Sequence, residues 1–184
     1  SDKDQKMTFF NKATDCFNKN DYLCAKTALE KTIEIDPDFA PAYVTLGEVY
    51  LKLGDIQNTF RAYLKAAELS PETLEVQMRL AALYMLNREK TKAFEILQNV
   101  LRRSPDNLNA TYLMAEFFAI ENDYDQSAEL FKTIINKDAS QVRAYLNLAA
   151  ILIRKCQFDE AEKFLSAAHT HNPSSLHPLI ALFN

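Results

Sequence analysis

Three histidines, His169, His171 and His177, crowd into the last part of the chain, and imidazoles that converge can hold a transition metal. His169 and His171 stand two apart at the end of a predicted helix, so they point to different sides, and no cysteine or carboxylate pattern completes a ligand set. They read as polar residues at a helix C-terminus, and no metal is expected. Glu48 and Glu116 are the carboxylates whose placement best suggests acid/base work. The chain pattern puts them on separate hairpins, beyond the roughly 10 Å over which paired carboxyls cooperate. The sequence has two glycines, Gly47 and Gly54, too few for a phosphate-binding loop, and no serine has a nucleophile-elbow context. Nothing in the sequence pairs a histidine with Cys156. The reading is a chain with no catalytic residue and no cofactor. Cys16 and Cys24 are different: a helix ends at one and a helix begins at the other, across a short turn at Lys19-Asn20-Asp21. That hairpin can bring their Cα atoms within disulfide range, or leave two small apolar residues with free thiols. Cysteine usage alone does not settle the compartment.

The elements that position these residues are helices. Within Ala40 to Thr73, Tyr43, Leu46, Gly47 and Tyr50 share one helical face, a turn follows at Gly54-Asp55, and Ile56, Thr59, Tyr63 and Ala66 form a second face. Pro71 closes the unit, because proline cannot continue a helix and drives Ser70 out of helical geometry. The pattern returns in phase every 34 residues. Closing residues fall at Pro37, Pro71, Pro105, Ala139 and Pro173. Small residues recur at Ala13, Gly47, Ala81, Ala115 and Ala149, and again at Ala25, Thr59, Ala93, Ser127 and Ala161. They must be small because the two helices of a hairpin approach closest there. Large residues fill the columns between, among them Leu46, Leu80, Met114 and Leu148, or Leu29, Tyr63, Leu97, Phe131 and Leu165.

Five hairpins follow, at residues 6–39, 40–73, 74–107, 108–141 and 142–175, with helix pairs beginning near Met7, Pro41, Leu74, Leu108 and Val142. Residues 1–5 form a polar segment expected to be disordered. Lys12 replaces the leucine or methionine of its column, a departure that an end repeat tolerates because one face meets water. The fourth hairpin lacks its closing proline, so a looser corner is expected at Lys137–Ser140. Residues 176–184 restart the first-helix pattern, either as a capping helix or as the start of a truncated sixth repeat.

Period and pattern resemble the tetratricopeptide repeat (TPR) family over nearly the whole chain. The resemblance implies an all-α fold, a right-handed superhelical solenoid of TPR helix-turn-helix hairpins. It implies a protein-protein interaction module or assembly scaffold that holds a peptide or helix of a partner in a concave groove lined by the first helices. By column, the groove positions are Phe10, Val44, Met78, Tyr112 and Leu146, then Phe17, Leu51 and Met85, with Glu48 and Glu116 between them. Arg79 and Arg143 flank the strip and would orient an acidic segment. Two known binding modes are excluded. The carboxylate clamp of co-chaperone members would need basic and amide residues where Phe10, Thr14, Thr45 and Glu75 stand, and only Arg79 fits. The asparagine ladder of another subgroup is broken at Thr45, Arg79 and Leu113, leaving Asn11 and Asn147.

A net charge of −4 with interspersed signs argues against nucleic acid as a partner. No run of about 18 apolar residues exists, so no direct membrane span is expected. The apolar end of the chain would allow oligomers. Bacterial arrays of this kind serve secretion, pilus or polysaccharide-export systems as lipoproteins, which tilts the expected location toward the periplasm or an outward-facing membrane anchor. The alternative is an accessory TPR domain cut from a longer enzyme or regulator.

Overall fold

The computed structural model describes residues 2–171. Among the described residues there are ten helices and no strand: α1 (Asp2–Asn18), α2 (Tyr22–Ile35), α3 (Ala40–Lys52), α4 (Ile56–Leu69), α5 (Leu74–Leu86), α6 (Lys90–Arg103), α7 (Leu108–Ile120), α8 (Tyr124–Lys137), α9 (Val142–Arg154) and α10 (Phe158–His171). His177 and the expected helix start at 176–184 lie outside these residues. None of the described helices is long and apolar enough to cross a membrane.

Each hairpin is built the same way from its sequence. Second helices are capped by aspartate: Asp21, Asp55 and Asp123 accept from the backbone N–H of Cys24, Asn58 and Gln126, meeting donors that a helix start leaves unpaired. Asn107 does the same for α7, and Pro41 sits in the first turn of α3, where its missing N–H costs nothing. The residue at the tip of each hairpin has positive φ: Asn20 60°, Gly54 76°, Arg88 61°, Asn122 63° and Cys156 59°. These five are one column of the 34-residue pattern, and only Gly54 and the two asparagines are residue types at ease there.

The small columns do what close approach demands. Ala13, Ala81 and Ala115 are wholly buried, and in the fourth hairpin Ser127 Oγ donates to the Ala115 carbonyl at 2.7 Å, locking one small column onto the other.

The chain divides into two compact units, Ser1–Ala93 and Phe94–Asn184. In the first, a core of Ala13, Ala25, Leu29, Leu46, Val49 and Ala62 runs from hairpin one into hairpin two. In the second, Phe131, Ile134, Leu148, Ile151, Leu152 and Leu165 join α7 through α10. Principal packing partners are neighbours in sequence: α1 with α2, α2 with α3, α3 with α4 and α4 with α5, then α7 with α8, α8 with α9 and α9 with α10.

Two expectations are corrected. Residues 2–5 are helical rather than disordered: α1 already runs from Asp2, with Asp2 and Asp4 placed in its first turn where the helix dipole favours anions. Lys6 anchors this extension, its ammonium 2.6 Å from Asp36 Oδ2 and 4.4 Å from the centre of the Phe39 ring. The corner at Lys137–Ser140 is not loose either. Asp138 replaces the missing proline by accepting from the backbone N–H and hydroxyl of Ser140 and from the Gln141 amide.

Candidate functional site

The first-helix face of the first unit carries Phe10, Phe17, Val44, Glu48, Leu51, Met78, Arg79 and Met85. All are half-buried except Leu51, which is 45% exposed. Phe10 packs edge-on against Phe39 with ring centres 5.2 Å apart, and Phe17 against Tyr22 at 5.6 Å, so both serve the hairpin core as well as the face. Arg79 lies where a partner's acid was expected to reach it, yet the chain supplies the acids itself. Its Nη2 is 2.7 Å from Glu48 and 2.9 Å from Glu75, while Nη1 donates to the Tyr63 hydroxyl at 3.3 Å. In the chain alone, the charge of Arg79, which was expected to orient an acidic segment, is matched by two carboxylates. Burial raises the Tyr63 phenol above its ordinary value, and Arg79 opposes that rise.

In the second unit Tyr112, Glu116, Arg143 and Leu146 occupy the corresponding face. The Tyr112 ring packs edge-on against Phe131 at 5.4 Å and receives the Arg143 guanidinium 4.8 Å from its centre. Its hydroxyl accepts from the Asn147 amide, and burial, then the Glu116 charge, push the phenol up. Leu146 is half-buried against the core. Arg143 is exposed and makes no ion pair among the described residues, its guanidinium resting on the Tyr112 ring.

Beside these residues lies a notch of about 550 Å³ between α7 and α9, lined among others by Glu116, Ala119, Asn147, Ala150, Ile151 and Arg154. It exists because two columns turn small here. Ala119 stands where Phe17, Leu51, Met85 and Ile153 stand in other hairpins, and Ala150 where Glu48 and Glu116 stand. The notch offers an apolar floor, an amide able to donate and accept, and one charge of each sign. Ala119, Ala150 and Arg154 fall on groove positions of the repeat pattern and Asn147 on its asparagine column, but the depression they form together is not legible in the sequence.

Cys16 and Cys24 form a disulfide with Cα atoms 5.8 Å apart, tying the mouth of the first hairpin, and Cys156 is free and exposed. His171 lies against Tyr145 with ring centres 5.6 Å apart, and His169 is half-buried on the adjoining turn. Among the described residues no three potential metal ligands converge.

A sequence profile described as the cytochrome c-type biogenesis protein H TPR domain matches residues 8–141, and one described as tetratricopeptide repeat matches residues 118–181. No curated protein gives a significant match. Among solved structures, MamA from Desulfovibrio magneticus RS-1 is similar with a TM-score of 0.82 at 17% identity, over 94% of this chain and 97% of that one. PilF of Pseudomonas aeruginosa gives 0.78 at 16%, over 93% and 78%. YrrB, described as a TPR protein with an unusual peptide-binding site, gives 0.73 at 20%, over 96% and 91%. Likenesses at such identities speak for the fold, and function has to be argued from the site.

Proposed function

The chain belongs to the tetratricopeptide repeat family, and from that premise we propose that this interaction scaffold holds a peptide or helical segment of a partner protein on its first-helix face, without catalysis of its own. The observation that carries the reading is the notch beside Tyr112: an open apolar depression with Asn147 ready to meet a backbone amide, and with Glu116 and Arg154 at its margins. Side chains at the bottom of such a depression are desolvated on binding, which is where hot spots concentrate. Met78 and Met85, half-buried and unbranched, extend an adaptable apolar surface on the first unit.

The structure also selects the experiment. A charge at Tyr112 would break its packing on Phe131, so loss of binding there would be ambiguous. Ala150 is exposed, and Ala150→Phe plugs the notch without disturbing the core. A photo-crosslinking side chain at Ala150 should capture a partner segment in the native host, a control at Glu95 should not, and Ala150→Phe should abolish that partner's binding with an unchanged helical spectrum. Equal capture from Glu95, or full binding by Ala150→Phe, would remove the reading.

For the compartment, the Cys16–Cys24 bridge supports an oxidising location, outside the cytosol. The process we propose is assembly at a bacterial envelope, the setting for which the name of the matched family, c-type cytochrome biogenesis, offers a candidate. Alkylation of freshly lysed cells should label Cys156 alone, and labelling of all three cysteines would place the chain in a reducing compartment.

A further inference from the structure

The edge of the first unit where the hairpins turn carries a second depression. It is a notch of about 470 Å³ between α4 and α5, floored by Ile56, Phe60, Leu83 and Leu86. Leu86 is 68% exposed, Ile56 43% and nearby Leu53 41%. Apolar side chains gathered at a rim in this way mark an interaction site more often than leucines scattered singly.

The chain contains its own control for this edge. In the fourth and fifth hairpins Lys155 reaches across to Asp125, and the Tyr124 hydroxyl donates to Asn122. One column for another, the second and third hairpins put Gln57 in place of Asp125, Asn87 in place of Lys155, Ile56 in place of Tyr124 and Leu86 in place of Arg154. The charged bridge gives way to the uncharged Gln57 and Asn87, the flanking tyrosine and arginine give way to Ile56 and Leu86, and the notch stays open.

The charges beside it point to the occupant. Arg61 lines the notch, Arg88 follows Asn87 on its rim, and Lys52 ends α3 next to Leu53. All three are exposed, and none makes an ion pair among the described residues. The carboxylates of the same edge already have partners: Asp55 accepts from the backbone and side chain of Asn58, and Glu89 from Lys92 and from Asn87 on the notch lining. Arg61, which among the described residues reaches only the Asn58 amide oxygen at 3.5 Å, thus lines an apolar hole, and Arg88 and Lys52 stand next to its residues along a chain whose net charge is −4.

We propose that this turn-edge notch is a second docking site, taking an acidic segment of a partner protein that inserts a leucine or phenylalanine side chain between Ile56 and Leu86 while its carboxylates meet Arg61, Arg88 and Lys52. A side-chain-sized hole favours a protein segment over a flat anionic membrane. Its lining residues are distinct from those of the α7–α9 notch.

The probe is a synthetic amphipathic peptide with leucines at helical spacing and glutamates elsewhere, set against a lysine-for-glutamate counterpart and phosphatidylglycerol vesicles. Anisotropy of the labelled peptide should show binding of the acidic form only, weakened about tenfold by Leu86→Asn and by Arg61→Glu, as expected for a central anchor and its flanking charge. Methyl resonances of Ile56 and Leu86 should shift on titration. Both changes are at exposed positions, and an unchanged circular dichroism spectrum verifies folding. Equal binding of the lysine peptide, absence of binding, indifference to Leu86→Asn, or preference for the vesicles would each overturn the proposal. Loss of binding in Ala150→Phe with none in Leu86→Asn would do the same while leaving the first-helix reading standing.

Discussion

Gly47 shows how a single residue adapts a repeated pattern. Four hairpins have alanine in its column, but a Cβ at this position would lie 2.7 Å from Cε1 of Tyr63, a ring that is only 2% exposed and has nowhere to move. Tyr63 itself is tethered through its hydroxyl to Arg79, so glycine, tyrosine and the Arg79–Glu48–Glu75 cluster form one arrangement. Gly47→Ala should destabilise the first unit by about 1–3 kcal/mol, as overpacking does. Adding Tyr63→Leu, the residue found in that column at 29, 97 and 165, should restore most of the loss in a urea melt. A second prediction follows from charge. Hydrogen bonds from Lys6, Lys137 and Lys155 hold the carboxyls of Asp36, Asp106 and Asp125 below their ordinary range. A carboxyl with a lowered folded-state pKa adds stability that is fully present above its unfolded value, about 4, and disappears as pH falls through the folded value. The melting temperature should therefore drop below about pH 4, and Asp36→Asn should flatten the drop while leaving a lower plateau at neutral pH.

At the scale of the element, the hairpin tips govern a different cost. A non-glycine residue in the left-handed region is strained, and Cys156 adopts it with a φ of 59°. Cys156→Gly should raise stability by roughly 0.5–1 kcal/mol, since relief of strain exceeds the entropy that glycine adds to the unfolded chain. Calorimetry would show whether the transition moves up or down. The bridge across the first hairpin closes a loop with a sequence separation of 8, for which loop entropy predicts about 2–3 kcal/mol. Cys24→Ser should cost that much and expose α1 and α2 to proteolysis first. The sequence made some of these elements legible and concealed others. Second-helix bounds such as Tyr22–Ile35 follow from periodicity and the aspartate cap, which are local. The start of α1 at Asp2 does not, because the contact that secures it joins Lys6 to Asp36, across a turn and two helices. The turns at the hairpin tips were legible, but positive φ at Arg88 and Cys156 was not, because arginine and cysteine give no sign of it, whereas Gly54 does. Likewise the groove columns were readable as columns, but the neutralisation of Arg79 was not, since Glu48 belongs to a different column on a different helix.

For the whole molecule, the decisive property is that packing partners are neighbours along the chain. Stability in such an array is a sum of hairpin terms and interface terms, so damage stays local. Leu148, fully buried in the second unit, provides the test: Leu148→Ala should cost about 2–5 kcal/mol in hydrogen-exchange protection of α9 and the helices beside it, while α1 and α2 exchange as before. A uniform loss of protection would mean that the chain unfolds as one. The two proposed sites draw on different residues, Ala150 in one unit and Leu86 in the other, so each can be varied by its own substitution. The fixed 34-residue phase has a further consequence, at the level of the gene. Because each hairpin presents the same columns to the one before and the one after, a duplicated or deleted stretch of coding sequence of that length rejoins matching surfaces wherever the cut falls. Such a chain can lengthen or shorten by recombination without passing through an unfolded ancestor, and its partners can change one hairpin at a time.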